Sequence, residues 1–300
     1  MPSTAVGGNA QWIRPFGSHL VSIGSDVRRV DGETHEDFRF LEGSFTRRRR
    51  AGGEQHLVGL YGEDSWALFP RLRLSLAARG DLWRSVRVFR HERSLENGEV
   101  LRDDRPSDRD RLAFSPKVAL IHRATERLSL RGSFYEGFRA PTLNELVRPF
   151  RVRNDITEAN PGLDPERLLG GEVGADYGVS RLRGRVTGFW NELDDPIVNV
   201  TIGEGPATIE PCGFVPEGGV CRQRQNLDRS RVRGLETEIE IAPARAWLAS
   251  VSYLLSDAEV TEAPSQPDLE GKRIAQVPRH QVVVKLAYDT PDWLSAAVQI

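Results

Sequence analysis

The sequence predicts an all-β chain folded as an antiparallel, up-and-down transmembrane β-barrel. Three observations carry that expectation. Apolar and polar residues alternate with a period of two, as in strands with two unlike faces. The alternating runs reach about ten residues or more, against roughly five or six in soluble sheets. Short and long connections between the runs alternate without a slip, as they do where tight turns close one end of a membrane barrel and long loops the other.

Taken in order, strands are expected near 19–30 and 54–67, separated by a long polar link over about 31–53. Ala67-Leu68-Phe69-Pro70 turns the chain into 71–88. There Arg71-Leu72-Arg73-Leu74-Ser75-Leu76-Ala77-Ala78-Arg79 sets leucines on one face and arginine and serine on the other. The long link 89–110 precedes 111–123, and Arg123-Ala124-Thr125-Glu126 turns into 127–138. In that run Leu128, Leu130 and Phe134 oppose Arg127, Ser129, Arg131 and Ser133. The link 139–165 leads to 166–178, and Gly178 to Arg181 turns into 182–199. After 200–224 comes 225–242, where Leu235, Thr237, Ile239 and Ile241 oppose Glu236, Glu238 and Glu240. Pro243-Ala244-Arg245 turns into 246–260. The last long link, 261–278, precedes 279–289, in which Val282, Val284, Leu286 and Tyr288 oppose Val283, Lys285 and Ala287. Thr290-Pro291-Asp292 turns into 293–300. The total is about eleven strands. Structureless links of about twenty residues are uncommon in soluble domains, which argues against a sandwich with the same alternation.

Composition agrees. The net charge of −2 gives no basic field for nucleic acid. Mean hydropathy is −0.43, and no run approaches the 18 to 20 apolar residues of a membrane helix. A barrel strand needs only about 9 to 11 residues, half of which are free to be polar. Trp12, Trp66, Trp83, Tyr135, Trp190, Trp247, Tyr253, Tyr288 and Trp293 fall near or inside strand ends, where interfacial girdles lie, although strands are aromatic-rich in any case. Met1-Pro2-Ser3-Thr4 and Gly7-Gly8-Asn9 carry no secretory signal, so on the barrel reading a fragment is expected. Cys212 and Cys221 flank a Gly/Pro-rich stretch. In a reducing compartment they are separate thiols; in an oxidising one they can close a loop, and the barrel reading favours that disulfide. No histidine lies near enough to complete a zinc spacing.

One stretch resembles a known family. Phe138-Arg139-Ala140-Pro141-Thr142-Leu143-Asn144-Glu145-Leu146, followed by Asn160-Pro161-Gly162-Leu163-Asp164-Pro165-Glu166, is similar to a segment of TonB-dependent outer-membrane receptors, with Val147 where a tyrosine is usual. Phe114-Ser115-Pro116-Lys117, Gly80-Asp81-Leu82-Trp83, Gly171-Glu172-Val173-Gly174, Phe189-Trp190-Asn191, Asn226 and Arg233-Gly234-Leu235-Glu236-Thr237-Glu238 follow the family's order. So do Leu269 to Ile274 and Val277 to His280. The likeness is strongest to the vitamin B12 and siderophore receptor branch.

The resemblance implies a plugged barrel of about 22 strands. Residues 1–300 then form a partial barrel, with the N-terminal plug and the final strands absent. It implies an outer-membrane location and TonB-dependent active uptake of a metal chelate such as a ferric siderophore or cobalamin. Expected partners are outer-membrane lipid and lipopolysaccharide, TonB through the plug, and the chelate, with no nucleic acid. A passive porin and a soluble all-β binding module are the alternatives. No enzyme, resident metal or cofactor is expected: G-x-S-x-G, P-loop and zinc spacings are missing, and Asp103-Asp104 and Asp194-Asp195 read as solvated acids.

Local chemistry adds four expectations. Pro141 and Pro161 belong where strands stop. Thr142 and Glu145 form a capping box for a short helical turn through Leu143, Leu146 and Val147. Gly234 marks a bulge or a close backbone approach. The run Arg47-Arg48-Arg49-Arg50 at the tip of one long loop, and Arg139, Arg148, Arg151 and Arg153 in another, are the ligand-binding candidates, since guanidinium grips phosphate and carboxylate bidentately. A solvated charged loop is the plainer reading of both groups.

Overall fold

Strands with one apolar and one polar face need lateral partners for their backbone groups, and here each finds them in its neighbours along the chain. The computed structural model describes residues 2–264, 266–290 and 293–300. It begins with β1 (Ser3–Phe16), β2 (His19–Leu41), β3 (Ser44–Phe69), β4 (Leu72–Ser94), a short β5 (Val100–Asp104), β6 (Arg109–Arg123) and β7 (Leu128–Arg139). Helix α1 (Leu143–Val147) and the short strands β8 (Phe150–Val152) and β9 (Asp155–Glu158) precede β10 (Glu166–Val179) and β11 (Leu182–Asp194). A second excursion, β12 (Ile197–Glu204), β13 (Ala207–Ile209), β14 (Gly213–Val215) and β15 (Val220–Asn226), leads to β16 (Arg229–Ile241). The chain ends with β17 (Trp247–Glu262), β18 (His280–Thr290) and β19 (Leu294–Gln299).

The main sheet runs β1-β2-β3-β4-β6-β7-β10-β11-β16-β17-β18-β19, antiparallel throughout, with β5 on β4 beside the path. That makes twelve strands in line, one more than expected: β1 pairs with β2 along its whole length, from Ser3↔Gly32 to Phe16↔His19. The leucine flanks do not meet across a second layer. Leu76, Leu82, Leu112 and Leu130 are exposed, and so are Val27, Val58, Ile239 and Val284, as on a wall whose apolar face awaits lipid. Trp12, Trp66, Trp190, Trp247 and Trp293 join that exposed face. Trp83 does not; it is buried under a loop, and the Tyr135 hydroxyl points to Glu172 on the polar face, 3.0 Å away.

Several boundaries differ from expectation. The link 31–53 is mostly strand, because β2 and β3 continue to a two-residue turn at Glu42 (φ 48°) and Gly43 (φ 86°). Two successive left-handed residues are the hairpin geometry that matches strand twist. Likewise β4 runs into the link 89–110. The expected strand 182–199 breaks after Asp194, where Asp195 is left-handed (φ 57°) and Pro196 follows, and β12 leaves the main sheet. The expected strand 225–242 breaks between β15 and β16. Gly234 sits in regular register between Phe189 and Ser256, with no bulge. A Cβ there would lie 2.0 Å from the Leu255 carbonyl oxygen and 2.5 Å from the Phe189 ring, so the close-approach reading holds and the neighbours are this sheet's own. Within the last expected turn, Pro291 and Asp292 lie outside the described residues.

Candidate ligand-binding mouth

At the end of the wall opposite the tight turns, residues 140–165 fold back against the polar face of β2, β3 and β4. The cause is local first. Thr142 Oγ1 accepts from the Glu145 amide and Glu145 Oε2 accepts from the Thr142 amide (2.7 Å), so the capping box starts α1. This helix turns Leu143, Leu146 and Val147 to one side, all buried. Leu146 and Val147 pack with Ala51, Trp83, Val88 and Leu163. A Cβ on Gly53 would be tight against Val88 of β4 (3.2 Å) and in ordinary contact with Leu143 of the helix (3.5 Å).

Hydrogen bonds fix the rest of the loop. Gln55 Nε2 donates to the Pro141 carbonyl (2.6 Å), and Arg109 Nη1 donates to the Pro161 and Leu163 carbonyls (3.0 and 2.7 Å). Arg224 Nη1 donates to the carbonyls of Asn144 and Arg148 (2.8 and 2.9 Å), satisfying the last turn of α1 with a cation. Asn226 Nδ2 ties the Asp164 and Asp195 carbonyls together (3.0 and 2.7 Å). The two excursions then form one small sheet, β12-β15-β9-β8, in which β15 and β9 are parallel. Cys212 and Cys221 form a disulfide, with Cα atoms 6.0 Å apart, beside Ile156 and Val215.

Across the loop and the wall runs an unbroken alternation of charge. Arg148 Nη2 meets Glu36 Oε1 (2.6 Å), and Glu36 Oε2 meets Arg49 Nη1 (3.5 Å). Arg49 Nε donates to Glu92 (2.6 Å), Arg90 Nε donates to the same carboxylate (2.7 Å), and Arg90 Nη1 donates to Glu158 (2.5 Å). Arg49, Arg90, Glu92 and Glu158 are buried. Burial pushes the Glu92 carboxyl up, but Arg49 and Arg90 outweigh it and hold it below the usual carboxylate range. Glu145 is held low in the same way, burial being outweighed by Arg139 and the Thr142 amide. At Asp195 burial and the charges of Asp164 and Asp194 act together and raise the carboxyl.

These pairings sort the arginine candidates. Arg47 to Arg50 do not sit at a loop tip; they are ladder residues of β3, opposite Phe38, Asp37, Glu36 and His35. The polar segment 33–38 has strand partners because β2 and β3 grip each other above the apolar band. Arg48 is bidentate to Asp37 (2.7 and 2.9 Å), Arg50 pairs with Glu33 (2.7 Å), and Arg49 is in the buried chain. Arg139 bridges Glu145 and Glu166 (3.0 and 2.5 Å), and Arg148 holds Glu36. Among the described residues Arg151 donates only to the Arg153 carbonyl (2.7 Å), and Arg153 is a left-handed turn residue (φ 56°). Among the described residues Arg47 has no carboxylate at ion-pair distance. Burial and the charges of Arg39 and Arg49 pull its proton affinity down against the pull of Glu92. Arg47, Arg151 and Arg153 are thus the candidates without a carboxylate partner among the described residues. Arg90, Glu92, Glu158, Arg109 and Arg224 escaped the sequence reading; only Asn226 stood in a recognised phrase.

Comparison with known proteins matches this geometry. A family model described as "TonB dependent receptor-like, beta-barrel" matches residues 3–299. The iron-regulated outer membrane virulence protein of Vibrio cholerae is 24% identical over 287 residues, covering 95% of this chain and 38% of its own length. A probable TonB-dependent receptor of Bordetella pertussis, BfrD, is 22% identical over 265 residues, covering 86% of this chain and 31% of its own. Among solved structures, the copper transporter OprC superposes with a TM-score of 0.70 at 18% identity, over 99% of this chain and 43% of that one. The ferric yersiniabactin uptake receptor FyuA of Yersinia pestis superposes with a TM-score of 0.61 at 13% identity, over 96% and 45%. This chain thus spans less than half the length of each of these relatives.

Proposed function

Because the chain belongs to the TonB-dependent receptor-like β-barrel family, we propose that it forms part of the barrel wall and loop-bearing mouth of an outer-membrane receptor for TonB-dependent uptake of a small metal chelate. The outer membrane is where this family and the Vibrio relative reside. Residues 1–300 are read as partial barrel, and the plug that contacts TonB, like the final strands, as lying outside them. Of the named relatives, OprC is a copper transporter and FyuA takes up ferric yersiniabactin, and a ferric siderophore or cobalamin is the cargo class proposed here; no covalent chemistry is invoked.

The observation that carries the reading is the loop 140–165, locked by a capping box, an apolar cluster and a buried ion chain onto the polar face of the wall. A passive pore gains nothing from such a roof, whereas a receptor needs a fixed binding surface at its mouth. Arg47, Arg151 and Arg153 are the cations proposed to meet an anionic chelate. The test is growth of a deletion strain, complemented with the full-length protein, on single ferric chelates or cobalamin. Rescue that disappears when TonB is inactivated supports receptor-mediated uptake. Rescue that survives TonB loss sinks it in favour of a passive channel.

A further inference from the structure

The apolar face of the wall has a sharp upper edge. Val27, Val58, Leu82 and Leu112, outward on β2, β3, β4 and β6, form one register row, Val27↔Val58, Val58↔Leu82, Leu82↔Leu112, above which only Val86 of β4, half-buried opposite Glu54, is apolar on this face before the strand's irregularity beyond it. All four are exposed. On β3, the span from Val58 down to Phe69 rises about 28 Å, at roughly 3.4 Å per residue and a tilt of about 40°, close to the apolar band of a membrane barrel. One pleat above that edge lies a second row, Arg29↔His56, His56↔Arg84, Arg84↔Asp110. Three of its four members are nitrogen donors on the outward side, at headgroup level.

The neighbouring carboxylates leave these donors largely free. Glu54, itself buried, lies 3.0 Å from Arg29 Nη2 and 3.4 Å from His56 Nε2, and also binds Arg87 Nη2, so one anion serves three bases. Asp108 is 3.8 Å from Arg84, beyond hydrogen-bond range, and Asp110 ends the row. The side chains of Arg29, Arg84 and Arg87 are 54%, 58% and 69% exposed. A guanidinium has five N–H donors, and here at most one or two are used. The other wall differs: Arg229, Arg231 and Arg233 are each bonded to a carboxylate of a neighbouring strand.

We propose that Arg29, His56 and Arg84, with Arg87 above them, bind the phosphate headgroup of an outer-membrane lipid whose acyl chains lie along the Val27–Val58–Leu82–Leu112 row. The apolar row selects a lipid over free phosphate, and the forked donors select phosphate over a neutral headgroup. This site is on the opposite face of the sheet from the mouth and does not depend on which chelate is carried.

The test uses full-length protein extracted from outer membranes in mild detergent and offered mixed micelles of bis-phosphorylated lipid A or its dephosphorylated form, with bound lipid counted by native mass spectrometry. The wild type retains the phosphorylated lipid. Arg29→Gln with Arg84→Gln lowers retention about 25-fold, at roughly fivefold per arginine near a membrane surface. If the double variant fails to assemble, Arg84→Gln alone decides, because among the described residues that side chain has only the 3.8 Å approach of Asp108; the expected loss is about fivefold. Arg28→Gln, on the same strand but the inner face, leaves retention unchanged. Equal retention by the outward variants, equal binding of the dephosphorylated lipid, an equal loss in Arg28→Gln, or displacement of the lipid by millimolar inorganic phosphate would each overturn the proposal.

Discussion

Glu92 is the keystone of the buried ion chain, and replacing it tests whether that chain holds the loop 140–165 in place. Glu92→Gln keeps the shape and removes the charge shared by Arg49 and Arg90. Removing one partner of a buried pair generally costs about 3–5 kcal/mol. Here Arg90 keeps Glu158 at 2.5 Å and Arg49 keeps Glu36 at 3.5 Å, so neither cation is stranded. The expected cost is therefore smaller, about 2–3 kcal/mol, which corresponds to a roughly 30- to 150-fold rise in loop opening. Hydrogen exchange followed by mass spectrometry on peptides from residues 142–163 reads that opening directly. Arg48→Gln, which breaks only the exposed pair with Asp37, should change exchange by less than about threefold. Protection at 142–163 that is the same in Glu92→Gln and wild type would refute the claim that the ion chain pins the loop.

Acid should act on the same lock. The Glu92 and Glu145 carboxyls are held below their ordinary value of 4.5, so their contribution is complete above that value and fades as pH falls through the depressed one; loop protection should be flat from neutral pH down to that ordinary value and drop only below it. Gly234→Ala puts a Cβ against the Leu255 carbonyl and Phe189 ring and should cost about 1–3 kcal/mol, lowering the temperature of heat-modifiable migration; an unchanged temperature would show that the neighbours yield. Arg47→Ser should weaken binding of an anionic ferric chelate several-fold at low salt, while Arg48→Ser, already neutralised by Asp37, should leave it nearly intact; equal effects would dissolve the distinction between free and paired cations. Cys212→Ser with Cys221→Ser should raise cleavage of the 205–221 hairpin by an added protease; unaltered cleavage would mean that the Ile156, Val215 and Arg222–Asp155 contacts suffice.

The wall was legible wherever lipid imposes its period. Between Leu72 and Leu82, or Val282 and Tyr288, alternate residues face opposite media and the pattern announces the strand. Above the apolar band both faces carry polar residues, and Glu33 to Asp37 alternates polar with polar; β2 and β3 extend there because they hydrogen-bond each other, which no periodicity reports. Strand β1 was missed for a related reason: Gly7 and Gly8 interrupt its alternation, and only pairing with β2 defines it. The capping box at Thr142 was readable because its partners are three residues apart. The ion chain was not, since Arg49 and Glu92 are 43 residues apart and Arg148 and Glu36 are 112 apart. The arginine run looked like a free cationic cluster for the same reason: the acids that neutralise it come from the antiparallel neighbours.

The alternation Arg148–Glu36–Arg49–Glu92–Arg90–Glu158 has a parity worth following. Its two terminal members, Arg148 and Glu158, belong to the loop, and the four between them belong to the wall. If the loop lifts, it departs carrying one cation and one anion, and the surface it uncovers keeps two of each. Within this alternation neither side is left with excess charge, so the ion chain itself exerts no long-range pull that recloses the roof and no repulsion that holds it open. Reseating is then a matter of contact and fit, and salt, which screens only distant charges, should hardly alter how often the roof is open.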